Sequence, residues 1–479
     1  MFAEATISEL CASASSKLGA ANAILGWYRD RVKGLDGGDA GFHAFVSVFE
    51  GPYDAPAPHR VEEQPLFGVP VAIKDNMEVA GLPMTCGSVA LQDYVPEADC
   101  VVVQRLKAAG AVVIGKTAMS EFAWGVTDTV GSAFGMTRNP YDRRYACGGS
   151  SGGSAVAVSA NLAAVGIGTD TGCSVRAPAA MTGLVGLRPT FGLVDVQGIM
   201  PMSRFMDTIG PLARTALDAA KVLKVIANTR VEEADGRTVD WQFCVDAVRR
   251  APSHGYRLAN LAALSNANGS DPEVLQIYET FLDQVEAHDL ADVAPLTPTA
   301  WPTLDLRPWY RLYRHDVDSY LARARPGHPC NTLGEIVVSG LVHPLQADAL
   351  KGWASIDDTP SDDPFATHRT SMRVSLRNAL KKDFDHHRLD AMVFPTFRYA
   401  APLSGDRRSP TGNNNSVASI AGFPAISIPI GITSAGLPVS AQLMGLPWSE
   451  QRLLQIAHAV EVAIPHRRSP TLSGPLGSV

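Results

Sequence analysis

The sequence predicts an α/β fold: a single domain with a central mixed β-sheet flanked by helices. Short apolar runs recur at 67–73, 111–114, 165–168, 391–395 and 425–430, each the length of a buried strand. Helical patterns separate the first of these, at 99–109 and 155–164, and alternation of this kind builds a sheet with helices on its faces. A chain of 479 residues, 46% hydrophobic and 19% charged, can bury such a core without disulfides or metals.

The elements follow in chain order. Residues 4–33 read as an amphipathic helix carrying Ile7, Leu10, Leu18, Ile24 and Leu25, and 34–65 as a loop rich in Gly, Pro and acids. Residues 1–65 therefore form an N-terminal helical segment. The strand at 67–73 ends in Lys74-Asp75-Asn76; the helix at 99–109 is stopped by Gly110, and 111–114 is a buried strand. Residues 131–154 read as a glycine-rich loop closing in Cys147-Gly148-Gly149-Ser150-Ser151-Gly152-Gly153-Ser154. A helix of small residues follows at 155–164, then a strand at 165–168 and a second glycine-bearing loop at 169–174. This places a chemical core in 66–215. Residues 230–385 are more charged, more aromatic and mostly helical in pattern, which predicts a variable, substrate-shaping region within the same domain. From 386 to 479 the chain returns to the sheet, with strands at 391–395, 425–430 and 436–445 and a closing helix at 453–462. One domain over 1–479 results, with no internal repeat.

Composition excludes several function classes. Lys and Arg number 41 against 48 Asp and Glu, so the net charge of −7 offers no surplus to neutralise phosphates, and no nucleic-acid partner is expected. Seven scattered cysteines without C-x-x-C spacing, and twelve histidines without H-E-x-x-H, predict neither a disulfide framework nor a metal site. No organic cofactor is implied. The opening MFAEATISEL lacks the pattern of a signal peptide, and no 18-residue apolar run occurs. The expectation is a cytoplasmic protein with no membrane association.

Two motifs are decoys. Gly110-Ala-Val-Val-Ile-Gly115-Lys116-Thr117 matches the phosphate-loop pattern, yet a helix precedes it and its middle is strand-like, so it cannot cradle phosphate. Gly148-Gly-Ser150-Ser-Gly152 matches a nucleophile elbow, but turn-forming residues rather than a strand lead into it. A third set stands out jointly: Lys74 at a strand end, Ser150 in the glycine-serine loop, and Ser174 in Gly168-Thr-Asp-Thr-Gly-Cys-Ser174-Val-Arg176. A neutral amine can act as base, one hydroxyl can relay the proton and the second can attack a carbonyl, all without histidine.

These residues resemble the amidase signature family, known by a glycine/serine-rich stretch and a Ser–cis-Ser–Lys triad. The resemblance extends to Glu121-Phe-Ala, Arg138-Asn-Pro, 207–214, 424–429 and 436–443, and leaves only the middle unmarked. It implies Ser174 as nucleophile, Ser150 as the bridging serine after a cis peptide from Gly149, and Lys74 as a buried base. It further implies an oxyanion hole of backbone amides from Thr171, Gly172, Cys173 and Ser174, with Ser151, Asp170 and Arg176 in support. Cys173 departs from the family's usual glycine, and its Cβ restricts positive φ. Met84, Thr85, Met119, Phe122, Trp124 and Trp309 are candidates for the substrate pocket. The reaction implied is hydrolysis of a small aryl or alkyl amide, extending to carbamates (urethanes) and esters, through a serine acyl-enzyme. No obligate partner protein is expected and a homodimer is left open. The alternative is the glutamine-hydrolysing A subunit of a tRNA-dependent amidotransferase, which shares the loops. Cys173 and the unmarked middle favour the independent hydrolase.

Overall fold

The computed structural model describes residues 2–17, 19–52, 64–232, 236–265, 269–298, 301–406 and 412–472. The stretch 53–63 of the predicted 34–65 loop lies outside the described residues. Eleven strands among them form one sheet: β1 (Phe45–Val48), β2 (Pro70–Lys74), β3 (Val112–Thr117), β4 (Val165–Asp170), β5 (Val185–Arg188), β6 (Thr208–Ala213), β7 (Tyr256–Leu261), β8 (Ala291–Leu296), β9 (Ala391–Pro395), β10 (Ala425–Ile432) and β11 (Pro438–Met444). Their lateral order is β1-β3-β2-β4-β6-β5-β10-β11-β9-β7-β8. β2 pairs parallel with β3 and β4, β7 pairs parallel with β8 and β9, and the other pairs run antiparallel. The sheet is mixed, with helices packed along it.

Apolar sequence explains the central strands. Every residue of β2, β3 and β4 is buried, as expected where both faces of a parallel segment are covered. Such strands contain charged residues only where a partner waits: Lys74 ends β2, Asp170 ends β4 and Arg188 ends β5. Those three ends converge on the site described below.

Four local readings differ from the structure, each for a physical reason. The predicted 4–33 helix is two, α1 (Ile7–Ala14) and α2 (Ala20–Leu35), because Gly19 adopts φ 80° between them. The Thr6 side chain and Glu9 carboxylate close a capping box at the start of α1. Within the predicted 34–65 loop, 45–48 is an edge strand antiparallel to β3. The strand expected at 111–114 runs on through Gly115, Lys116 and Thr117, whose register brings Thr117 opposite Lys74. The phosphate-loop pattern is thus consumed by a buried strand. Finally, after α3 (Val101–Ala108), α4 (Gly152–Ser159) starts three residues before the predicted 155 and ends before 164. Glycine is a poor helix former, but a Cβ on Gly153 would lie 2.3 Å from the Ala118 carbonyl oxygen, so close packing overrides propensity.

The 230–385 region holds the helices Pro272–Ala287, Tyr313–Ala324, Pro344–Ala354 and Ala366–His387, but also two sheet strands. β7 and β8 extend the sheet beyond β9, with the 272–287 helix as their crossover. Alternation is weak there because an edge strand such as β8 leaves Asp292 and Pro295 exposed, so it does not read as a buried run.

Candidate active site

Lys74 is completely buried at the end of β2, and its Nζ donates to Ser150 Oγ at 2.8 Å and to Thr169 Oγ1 at 2.7 Å. Burial lowers its pKa from 10.5 to about 7, against the opposing pull of the Asp170 and Asp207 carboxylates. An amine in that range is a working base near neutrality. Thr169 was missed as a partner of Lys74; its hydroxyl also accepts from Asn76 Nδ2 at 3.3 Å. The adjacent Asp75 forms a buried ion pair with Lys116, Nζ to Oδ1 3.1 Å, which gives the lysine of the decoy motif a structural role.

The loop before α4 carries Ser150 past Lys74. The Gly149–Ser150 peptide is cis. Gly148 sits at φ 78° directly against Pro178, where a side chain has no room. The amide of Gly149 donates to the Val126 carbonyl, and the Ser150 carbonyl accepts from the Ser120 amide. Ser151 Oγ donates to the Thr169 carbonyl at 3.2 Å, while its amide reaches the Ser174 carbonyl at 3.3 Å. Ser151 thereby joins the loops bearing Ser150 and Ser174, instead of capping α4 with its side chain.

The second loop, 170–175, leads into α5 (Arg176–Met181). Asp170 ties it down. Its carboxylate accepts from the amides of Val175 and Arg176 and from the guanidiniums of Arg176 and Arg188, every partner buried. Burial alone pushes this carboxyl up, but the two arginines outweigh it and hold it well below the usual carboxylate range. Arg188 was overlooked; a cation ending the otherwise apolar run Val185-Gly-Leu was its signal. Thr171 Oγ1 donates to Asp207 at 2.6 Å, fixing the other end of the loop.

Cys173 does not distort this loop: it is not among the residues with positive φ, and its thiol packs with Ala177, Met181, Phe397 and Leu437. Burial pushes the thiol up to about 12, and Asn413 Nδ2 approaches its sulfur at 3.8 Å. That is the environment of a packing residue, not a thiolate. Beside it, a Cβ on Gly172 would lie 2.8 Å from the Tyr310 hydroxyl, so the loop bearing Ser174 and the 307–310 turn are in close contact.

The pocket candidates divide. Met84, Met119, Phe122 and Trp309 are buried in one apolar cluster, and Thr85 is bound through its amide and hydroxyl to Asp75. Trp309 lies under the Arg373 guanidinium, 4.4 Å from its ring centre. Trp124 borders a cavity of about 350 Å³ with Gly125, Asp128 and Gln346, and packs edge-on against Tyr310 and Trp353. Among the described residues, no helix is long and apolar enough to cross a membrane.

The Amidase family profile matches residues 53–454. The chain belongs to the amidase family. Peptide amidase from Stenotrophomonas maltophilia superposes with a TM-score of 0.83 at 30% identity, over 99% of each chain. The A subunit of glutamyl-tRNA(Gln) amidotransferase from Thermotoga maritima gives 0.78 at 28%, again over 99% of each chain. The protein of that same name from Heliobacterium modesticaldum is 35% identical over 435 residues, 85% of each chain. Further relatives bearing that name are 32–35% identical. As a member of this amidase family the chain is an enzyme that hydrolyses amides.

These findings overturn the expected independent hydrolase of aryl or alkyl amides and carbamates, because the relatives are amidotransferase A subunits. The expectation of neither nucleic acid nor obligate partner falls with it: the name of those relatives contains both a tRNA and a subunit. The two observations behind that expectation lose their force on physical grounds. Cys173 fits without strain and packs as a small apolar residue. The middle region contributes β7 and β8 to the sheet and is covered in the full-length superpositions. Net charge reports on the whole surface and does not test one local contact with RNA or with a partner.

Proposed function

We propose that this amidase hydrolyses the side-chain amide of glutamine as the A subunit of a tRNA-dependent amidotransferase. The observation that carries the proposal is the 35% identity to the A subunit of a glutamyl-tRNA(Gln) amidotransferase over 85% of both chains. Glutamine presents a linear primary amide, and the ammonia released would serve a transfer step on glutamyl-tRNA completed with partner subunits. A cytoplasmic site of action belongs to the same reading.

In this mechanism Ser174 Oγ attacks the side-chain carbonyl carbon. Its proton passes to Ser150 and from there to Lys74, whose contact with Ser150 at 2.8 Å supports the relay. Charge developing on the carbonyl oxygen is met by backbone amides of 171–174, donors that need no reorganisation during the step. Collapse breaks the C–N bond, and the proton held by Lys74 returns to the departing nitrogen as ammonia forms. Water then enters, loses its proton along the same relay and releases glutamate from Ser174.

The test is ammonia release from glutamine by the purified chain, alone and with the partner subunits encoded by its own organism, beside Ser174→Ala. Glutamine-dependent ammonia that disappears in the variant supports the proposal. Ammonia from a C-terminal peptide amide but none from glutamine, with or without partners, overturns it.

A further inference from the structure

Lys74 has two hydroxyl partners, Ser150 and Thr169, on different elements. Ser150 stands on the glycine-serine loop. Thr169 lines a cavity of about 200 Å³ together with Asn76, Thr171, Thr208 and Asp207, whose wall includes neither Ser150 nor Ser174 and which reaches the surface beside Val196, 44% exposed. A volume of that size admits several waters.

The polar atoms around this cavity call for water. Asn76 is 2% exposed and Thr208 is 1% exposed, yet Asn76 Oδ1 and Thr208 Oγ1 have no hydrogen-bond partner in the protein. Thr169 Oγ1 accepts from both Lys74 Nζ and Asn76 Nδ2. A hydroxyl has two acceptor sites and one donor, so both acceptor sites are used and its own proton is left to be given toward the cavity it lines.

We propose that this cavity holds a short chain of water that carries Lys74's proton to and from bulk solvent, a rear route through Thr169 that stays open while substrate covers the Ser150 side. The inference rests on the reading of Lys74 as the base. In the step, the N–H bond at Lys74 breaks as its proton passes to Thr169, which gives its own hydroxyl proton to the first water. The last water gives one to a buffer base outside. Lys74 is left as the neutral amine, the buffer base gains the proton, and every intervening hydroxyl is restored.

Charged and titratable groups face Lys74 from each neighbouring element. Asp170 and Asp207 favour the ammonium and burial opposes it, while the nearby Cys86 and Cys173 thiols stay protonated because burial raises both. Asp170 is held by Arg176 and Arg188, and Asp75 is engaged by Lys116. Arg204, also on the cavity wall, is paired with Asp316. None of these is altered by the variants below.

Val196→Trp would narrow the mouth, Thr208→Val would remove an interior hydroxyl, and Val196→Ala serves as the folding control that leaves the mouth open. The turnover number is measured on glutamine from pH 6 to 9. One unit below its pKa of about 7, roughly nine in ten Lys74 side chains carry the proton at the start of a turnover. At pH 6, Val196→Trp and Thr208→Val are expected to fall about three- to tenfold below wild type, and at pH 9 to match it. A simple loss of structure would lower turnover equally at every pH. Parallel pH profiles for both variants overturn the proposal. Failure on glutamine alone counts against the substrate reading, since hydrolysis of p-nitrophenyl acetate, which needs the same base, reads the pH comparison without any amide.

Discussion

Replacing Lys74 by methionine is expected to abolish activity and yet stabilise the protein at neutral pH. Lys74 titrates at about 7 in the folded chain and at 10.5 when free. Lowering a pKa by that amount means the fold disfavours the ammonium by roughly 5 kcal/mol, at 1.36 kcal/mol per unit. Against this, methionine forfeits the bonds to Ser150 and Thr169, each a contribution of about 1 kcal/mol. A net gain of about 2–3 kcal/mol follows. The sign in pH is fixed by linkage: below 7 both states hold the proton and the cost to wild type is complete. Between 7 and 10.5 the unfolded chain binds more protons than the folded one, so wild type gains stability as pH rises. Urea unfolding of both proteins at pH 6, 7, 9 and 10 reads the gap, which should shrink above pH 7, close near pH 9 and reverse by pH 10, where wild type keeps the two hydrogen bonds and the ammonium cost has largely gone. A variant less stable than wild type at pH 7, or a gap that ignores pH, would refute the placement of Lys74 as a buried, readily neutralised amine.

Three further outcomes are expected. Asp170→Asn leaves Arg176 and Arg188 buried without a carboxylate and should cost about 3–5 kcal/mol in urea unfolding, with loss of activity because the loop around Ser174 is released. Cys173→Ala should retain turnover within about threefold and lose about 1 kcal/mol of stability, the effect of a small buried cavity; inactivation on this change would make the thiol chemical. Gly172→Ala places a Cβ 2.8 Å from the Tyr310 hydroxyl and should cut turnover at least about tenfold, since a packed core concedes little. Tyr310→Phe in that background should restore part of it.

Much of the site was legible because its chemistry is local in sequence. Lys74 follows an apolar strand, and Ser150 and Ser174 lie in loops whose small residues mark close approach, as Gly153 against Ala118 shows. Partners supplied by distant strand ends were harder to read. Thr169 and Arg188 join the site only because β4 and β5 end at the same edge region, a fact of sheet order and not of spacing. The outer strand β8 was missed because a half-exposed edge blurs the apolar period, and β7 because Arg257 and Asn260 interrupt its apolar residues. Pocket residues were the least legible: Met84, Met119 and Phe122 lie buried in one apolar cluster, and apolar composition does not separate a pocket wall from core packing. The same limit applied to biology, since the triad chemistry is shared across the family and Cys173 carried no information about the acyl group.

The central claim is a glutamyl ester on Ser174, formed with Lys74 as base. It is tested most directly by rapid acid quench of the protein during turnover of glutamine, followed by peptide mapping. The expected result is a γ-glutamyl group on the peptide containing Ser174, present in wild type and absent from both Ser174→Ala and Lys74→Met. A glutamyl group found on Cys173 or Ser150, or one that persists at full yield in Lys74→Met, would contradict the account.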